Sequence, residues 1–323
     1  MIESYKILAI INPISGTSRK EYVPQVIDKI IDSNKYTVIV RFTQYPGHAT
    51  ELSKKAIEEN FYAVLAVGGD GTINEVAAAL KDSNTALGVI PCGSGNGLAR
   101  HLSIPLNIEK ALAVINENYI QSFDYCTVND QPFFCTCGVG FDAHISEKFA
   151  ESKKRGPFIY FKKTLAEYLK YRSEIYNIET EDKIITEKAF VIACGNASQY
   201  GNNAFITPHA SMQDGLIDIT VILPFTPLDT AILGLLLFTR HIDQDINIHS
   251  FRTKALTIHR PKAGIMHIDG EPIMMNKDLY IRCIHNGIKI FIPKKSVSKK
   301  SIFSPIEDGF WNFVNTIRNE LNI

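Results

Sequence analysis

Four apolar runs of strand length alternate with segments of helical spacing in the first part of the chain. The runs are Tyr5–Ile11 (YKILAII), Thr37–Phe42 (TVIVRF), Tyr62–Val67 (YAVLAV) and Ala86–Ile90 (ALGVI). Between them lie Glu21–Ile31, Ala49–Glu59 and Asn74–Leu80, whose apolar residues recur as on one face of a helix. A strand that is apolar along its whole length is buried on both faces. Strands of that kind, separated by helices, predict a parallel sheet covered on both sides. The same constraint says where a ligand belongs, because such sheets bind at the carboxyl ends of their strands. Three strands run there into a glycine-bearing loop: Asn12–Gly16 (NPISG), Gly68–Thr72 (GGDGT) and Cys92–Asn96 (CGSGN). A fourth loop, Thr43–Thr50 (TQYPGHAT), follows the second strand.

The stretch AVGGDGTINEV sets three glycines around one acid and then starts a helix. Backbone N–H groups in a glycine-rich loop ahead of a helix form an anion site. GGDGT before the helix from Ile73 fits that geometry, and so does CGSGN before GLARHL. Two such loops at one sheet edge can hold a nucleotide's phosphates, with Asp70 in reach of Mg²⁺ or a hydroxyl. The plainer alternative is a set of ordinary strand-to-helix turns, and three aligned glycine loops weigh against it. Other phosphate schemes are excluded. The chain has no G-x-x-x-x-G-K-[ST] and no protein-kinase motif set. Gly93–Ala99 (GSGNGLA) superficially fits a dinucleotide fingerprint. However, Leu98 stands where the third glycine belongs, and no acid ends a strand about 20 residues later.

From about Phe123 the pattern changes to short strands and tight turns. Thr127–Gln131 and His285–Ile288 read as hairpin turns, the second on an Asn-Gly signal. Lys162–Tyr171 reads as a helix, and the rest, to about Pro293, as antiparallel. A length of 323 residues suits two domains of roughly 150 residues each. We expect an α/β domain over residues 1–122, a mainly β domain over 123–293, and a separate segment over 294–323. That segment opens with KKSVSKK, and Phe310, Phe313, Val314, Ile317 and Leu321 then mark one face of a helix, expected to pack back on the first domain. Lys+Arg and Asp+Glu both count 34, so there is no basic excess of the kind nucleic-acid binding needs. The six cysteines contain no CxxC pair, and Cys135-x-Cys137 alternates along a strand as packing residues do. With an N-terminus unlike a targeting peptide, they read as reduced cytosolic thiols. The longest apolar run, Ala231–Phe238, falls far short of the ~20 residues that span a bilayer.

The motifs NPISG, GGDGTINEV, IPCGSGNGLARHLSIP, GFDA (Gly140–Ala143), QDGLIDI (Gln213–Ile219) and IDGEP (Ile268–Pro272) stand in the order seen in the diacylglycerol kinase catalytic-domain family. The chain resembles that family from about Ile7 to Pro293. The resemblance implies a parallel-sheet α/β domain carrying GGDGT, an antiparallel β-sandwich domain carrying DGE, and an active site in the cleft between them. It implies a lipid kinase that transfers the γ-phosphoryl group of ATP, with Mg²⁺, to the hydroxyl of a membrane lipid such as diacylglycerol or a sphingoid base, within phospholipid metabolism. Carried over position by position, the nucleotide-binding residues would be Asn12, Pro13, Ser15, Gly16, Thr43, Gly68, Gly69, Asp70, Gly71, Thr72, Asn74, Glu75, Gly93, Ser94, Gly95 and Asn96. Asp70 would orient the phosphates through Mg²⁺. Glu271 matches the proton acceptor, with Asp269 close by. Asp214 matches a metal ligand whose site the carbonyls of Ser211 and Leu216 would complete, as oxygen donors suited to Mg²⁺. The chemistry agrees: a lipid hydroxyl needs a carboxylate to take its proton, and phosphoryl transfer needs the phosphate charge positioned and neutralised. Taken alone, IDGEP would read as a hairpin turn with surface acids.

The chain departs from many bacterial members at Gly97, which follows Asn96 where they carry an acid. The small residue, Leu98 and Ala99 there are more similar to sphingosine kinases, as is Gly140–Gly156, in which Asp142 would either face an amino or hydroxyl head group or simply cap the end of a strand. A lipid kinase without a spanning helix works at an interface. The basic clusters Lys153, Lys154, Arg155, Lys162, Lys163 and Lys294, Lys295, Lys299, Lys300 suit an anionic bilayer surface. The implied location is cytoplasmic, peripheral to the inner face of the membrane, and a homodimer would suit the family. Two other functions remain open at this level: an NAD kinase-like enzyme acting on a soluble metabolite, and a catalytically silent lipid-binding protein. The joint presence of Asp70, Asp269 and Glu271 argues against the second.

Overall fold

The computed structural model of the protein describes residues 4–16, 20–150, 167, 170–226 and 229–294. The chain divides into a body, Met1–Pro293, and a terminal unit, Lys294–Ile323. The expected terminal helix and its packing, every basic-cluster residue except Lys294, and most of the expected helix Lys162–Tyr171 lie outside the described residues.

The body opens with β1 (Tyr5–Ile11), α1 (Val23–Ile30), β2 (Tyr36–Phe42), α2 (His48–Glu58), β3 (Ala63–Gly68), α3 (Asp70–Leu80) and β4 (Ala86–Pro91). The strands pair in parallel in the order β2-β1-β3-β4. Every residue of β3 and β4 is buried, which explains their unbroken apolar sequences. Helix α3 starts at Asp70, earlier than its apolar spacing indicates, so the helix begins inside the glycine motif. Its first bond runs from the Ile73 N–H to the Gly69 carbonyl at 3.1 Å. Short helices α4 (Gly97–His101) and α5 (Ile108–Asn116) follow β4.

The second part comprises β5 (Ile120–Val128), β6 (Gln131–Phe133), β7 (Thr136–Gly140), α6 (Phe141–Ala150), β8 (Glu174–Thr180), β9 (Ile184–Ala189), β10 (Val191–Gly195), β11 (Ile217–Ile222), α7 (Asp229–Thr239), β12 (Ile248–Thr253), β13 (Ala255–His259), β14 (Gly264–Ile268), β15 (Glu271–Met275) and β16 (Asp278–Phe291). The first sheet does not stop at β4. It continues through β16, β13, β8 and β9, joined where Ile290 pairs in parallel with Leu87. A second sheet, β12-β11-β10-β7-β14-β15, is antiparallel throughout. Val128, Phe133, Ile178 and Leu256 of the first sheet and Val139, Ile192, Ile219 and Met266 of the second share one buried core. That core is the filling of the expected β-sandwich.

Of the two expected hairpins, one forms. Asn129 and Asp130, both at positive φ (44° and 65°), make a two-residue turn between β5 and β6. His285–Ile288 instead lies within the single strand β16, as a register shift against β5 between Ile284 and Ile288. The positive φ signalled by Asn-Gly is real at Asn286 (56°), but it serves a bulge. Its N–H donates to the carboxylate of Asp124 at 2.8 Å, and His285 Nδ1 pairs with the same oxygen at 2.8 Å. The second part also holds helices α6 and α7 where strands were expected. Helix α7 is the apolar run itself, and a short uniformly apolar run looks alike in sequence as strand or buried helix. Among the described residues, no helix is long and apolar enough to cross a membrane.

Asp124 is fully buried and also accepts the Gly215 N–H at 2.7 Å, so one carboxylate holds the bulge and the loop before β11. Asp124→Ala strips two backbone N–H groups of their acceptor and should lower the urea-derived unfolding free energy by about 3 kcal/mol. Asp124→Asn keeps one acceptor oxygen and should cost less.

Candidate active site

The three glycine loops meet at the carboxyl ends of β1, β3 and β4, and side chains stitch them together. Asn12 Nδ2 donates to Thr72 Oγ1 at 2.9 Å, tying the first loop to the second. The Asp70 carboxylate accepts the N–H groups of Asn96 and Gly97, both at 2.8 Å, tying the second to the third. Asn96 closes its own turn, accepting from the Gly93 N–H at 3.0 Å and donating to the Gly93 carbonyl at 2.9 Å. Close approach explains the glycines. A Cβ on Gly93 would stand 2.8 Å from Gly69 Cα, and one on Gly95 2.8 Å from Asp70 Oδ2. Gly16 carries both demands: its φ is +67°, and a Cβ would strike the Cys92 carbonyl at 2.1 Å. The exposed rim is formed by Pro13, Gly16, Gly71 and Ser94, beside half-buried Asn12, Ser15, Gly69 and Gly95. Gly68 and Thr72 lie buried beneath it.

The opposing wall is the turn between β14 and β15. Asp269 (φ 48°) and Gly270 (φ 87°) form a two-residue hairpin turn, so the plainer reading of IDGEP holds for the backbone. It fails for Asp269. The Asp269 carboxylate accepts three consecutive backbone N–H groups, from Phe134 (2.8 Å), Cys135 (2.7 Å) and Thr136 (2.8 Å), and a bond from the Asn74 side chain. Burial pushes its pKa up, and those four donors hold it back. Glu271, one residue past the turn, is exposed, and its side chain has no hydrogen bond to any described residue. Its Oε1 lies 3.8 Å from where a Cβ on Gly71 would stand, which sets this carboxylate against the first turn of α3.

Two further predicted residues make bonds to neighbouring elements. Glu75 faces α2, where its two oxygens accept the N–H groups of Gly47 (3.0 Å) and Ala49 (3.2 Å). Thr43 continues β2, donating its N–H to the Ile11 carbonyl at 2.9 Å. Ser211, Asp214 and Leu216 sit in the loop before β11, where the Asp214 carboxylate receives the Leu216 N–H (3.1 Å) and Arg252 Nη2 (2.7 Å). Among the described residues, no group of three or more His, Cys, Asp or Glu is placed to hold a metal ion. Asp142 opens α6, but its oxygens already accept from Ala143 N–H (2.7 Å), Tyr200 OH (2.9 Å) and His267 Nε2 (3.0 Å).

Three residues went unmarked in the sequence. Lys20 is 3 % exposed, and its Nζ lies 3.7 Å from where a Gly16 Cβ would stand. Its charge lowers the Cys92 thiol pKa against the larger upward push of burial, so a cation underlies the first and third loops. The only signal was a lysine four residues past Gly16. His267, 1 % exposed, accepts a long bond (3.4 Å) from the Gly270 N–H on Nδ1 and faces Asp142 with Nε2, which fixes the tautomer. His101, at the end of α4, accepts the Ser198 N–H on Nδ1 at 3.1 Å, joining the third loop's helix to the segment after β10. Nothing in an isolated histidine's spacing announces such a partner.

Glycine loops at a parallel-sheet edge, closed by an acidic turn from an antiparallel sheet, define a two-domain kinase fold. Residues 6–128 match the diacylglycerol kinase catalytic domain, and residues 135–290 match the YegS C-terminal NAD kinase beta sandwich-like domain. The chain belongs to the diacylglycerol kinase catalytic-domain family. It is 30% identical over 280 residues to a Serratia proteamaculans protein named "Probable lipid kinase YegS-like", covering 84% of this chain and 90% of that one. A Yersinia enterocolitica protein of the same name is 29% identical over 264 residues, 80% and 88% of the two chains. A Bacillus anthracis structure titled as a diacylglycerol kinase superposes with a TM-score of 0.70 at 18% identity, over 91% and 99% of the chains. An NAD kinase from Archaeoglobus fulgidus in complex with ATP superposes with a TM-score of 0.52 at 14% identity, over 93% and 98%. At those identities the two structures speak for the fold alone.

Asp269→Ala should cost about 3 kcal/mol of stability, because three backbone donors lose their acceptor together; urea unfolding measures it. His101 gives a pH signature. Burial first, then Arg240, lowers its pKa from 6.5 to about 4. Between those values the unfolded chain binds the proton and the folded chain does not, so stability is full above 6.5 and falls as the pH drops toward 4. His101→Asn, which keeps an acceptor for Ser198, should flatten that acid limb by about 1–2 kcal/mol.

Proposed function

We propose that the protein is a lipid kinase that transfers the γ-phosphoryl group of MgATP to the hydroxyl of a lipid alcohol. The observation that carries this reading is Glu271: an exposed carboxylate, without a partner among the described residues, set over Gly71 in the glycine motif. Its relatives' printed names support the acceptor class. The first turn of α3 and the NPISG and CGSGN loops point backbone N–H groups at the rim and bind the phosphates there. Ser94 adds an exposed hydroxyl and Lys20 a buried positive charge. Magnesium arrives with ATP as part of the substrate and neutralises phosphate charge. Asp70 works through the backbone, holding Asn96 and Gly97 in place.

Glu271 Oε accepts the acceptor hydroxyl's proton as the new O–P bond forms and the bond to the ADP oxygen breaks. Asp269 is not that base. Its oxygens are committed to three N–H groups, and its part is to fix the turn that carries Glu271. The acceptor comes from a bilayer, so the enzyme works in peripheral contact with the membrane face that meets cytoplasmic ATP.

The test is phosphoryl transfer from radiolabelled ATP to mixed micelles of diacylglycerol, a sphingoid base or ceramide, with NAD in parallel. One lipid should gain label. Glu271→Gln should lower kcat by about 10²–10⁴ with an unchanged unfolding midpoint. Label in NAD and in no lipid overturns the lipid reading, and a fully active Glu271→Gln removes the proposed base.

A further inference from the structure

The family resemblance places a metal ion on Asp214 and the carbonyls of Ser211 and Leu216, and the surroundings of Asp214 do not fit one. Both of its oxygens already have donors, Leu216 N–H on one and Arg252 Nη2 on the other. Arg252 Nε donates to Asp218 Oδ2 at 3.0 Å, and Nη2 also reaches the His209 carbonyl at 3.3 Å. The guanidinium therefore sits among two carboxylates and a carbonyl, an oxygen set of the kind that surrounds a divalent ion. The placement is built in. Asp218 on β11 and Arg252 on β12 are direct cross-strand partners, and Asp218 is 8 % exposed. The neighbouring acid offers nothing to a second cation, because Asp124 is committed to the N–H groups of Gly215 and Asn286 and to His285. A divalent ion entering beside a fixed guanidinium would meet like charge within a few ångströms.

We propose that Arg252 takes the place of that metal: its guanidinium, not a divalent cation, clamps the Asp214 loop onto the β11–β12 pair, and this position binds no Mg²⁺. The inference concerns the fold of the second part and is independent of the kinase reading, so either can fail alone. The loop's stability is then insensitive to chelators, and the lost cation site reappears only when the guanidinium is removed.

The experiment is thermal unfolding of the nucleotide-free full chain in EDTA, then in magnesium or calcium chloride at matched ionic strength. The wild type should unfold at one temperature throughout. Arg252→Met leaves two carboxylates and a carbonyl facing one another. It should unfold at a lower temperature in EDTA and recover saturably with magnesium, by about 3 °C at roughly ten times Kd. A wild-type rise with magnesium that Asp214→Asn abolishes overturns the proposal. So does an Arg252→Met protein that no divalent ion stabilises. Should Arg252→Met not fold, Mn²⁺ titration followed by electron paramagnetic resonance decides the matter on the other two proteins. Equal Mn²⁺ uptake by wild type and Asp214→Asn supports the clamp, and uptake lost in Asp214→Asn refutes it.

Discussion

The carboxylate of Asp269 gathers three consecutive N–H groups of residues 134–136 and the side chain of Asn74, and the cleft's geometry rests on that gathering. Asn74 belongs to α3, which carries the glycine motif, and residues 134–136 lead into β7 of the second sheet. One charge thus fastens together the phosphate loop, the second sheet and the turn bearing Glu271. A carboxylate saturated with backbone donors is held far more firmly than one on a mobile side chain. The firmness passes along two residues of main chain to Glu271, whose side chain has no partner among the described residues. In the proposed mechanism Glu271 is the base, and a base that must exchange a proton with a substrate has to be positioned without being occupied. Placing the anchor and the base two residues apart on one tight turn achieves both.

The phosphate side follows the same logic with the roles exchanged. There the side chains serve the backbone. Asp70, Asn12 and Asn96 spend their polar atoms on holding three loops in contact, so the backbone of the rim is fixed in advance for the anion that the proposed function assigns to it. Gly97 fits this arrangement. Its N–H is bound to Asp70, and a Cβ there would lie 3.4 Å from the Tyr200 carbonyl and 3.5 Å from Cys135 Sγ. An acid at that position would have to enter a crowded seam between the two parts.

The sequence was most legible where one residue's neighbours decide its state. The unbroken apolar runs of β3 and β4 announce burial on both faces, and the glycine loops after them announce the binding edge. Asn129-Asp130 announces its turn through local backbone preference. Legibility ended where a distant residue decides. Asn286-Gly287 looks like a hairpin until Asp124, far away in sequence, captures the Asn286 N–H and turns it into a bulge. Glu75 sits inside GGDGTINEV yet serves α2, because helix α3 turns it away from the rim. The start of α3 at Asp70 was hidden because glycines carry no apolar pattern. Asp269 and Glu271 share one motif, and only their surroundings separate the buried anchor from the exposed carboxylate proposed as the base.

The two parts of the body share a sheet at Ile290–Leu87, but the cleft itself is crossed by few polar links. Among the described residues they include Asn74 to Asp269, His101 to Ser198, Arg100 Nη1 to Asn203 Oδ1 at 3.3 Å, and the Asn202 N–H to the Gly95 carbonyl at 3.1 Å. The last three of these run to the segment after β10, and Tyr200 of that segment hydrogen-bonds Asp142, which in turn faces His267 beneath the β14–β15 turn. The segment therefore touches the phosphate loop on one side and supports the Glu271 turn on the other. Asp142, which the sequence offered as a contact for a lipid head group, is used up in this support. At Gly201 the segment packs so closely on the third loop, at φ +118° and with a Cβ falling 3.1 Å from Gly95, that only glycine fits between the two parts.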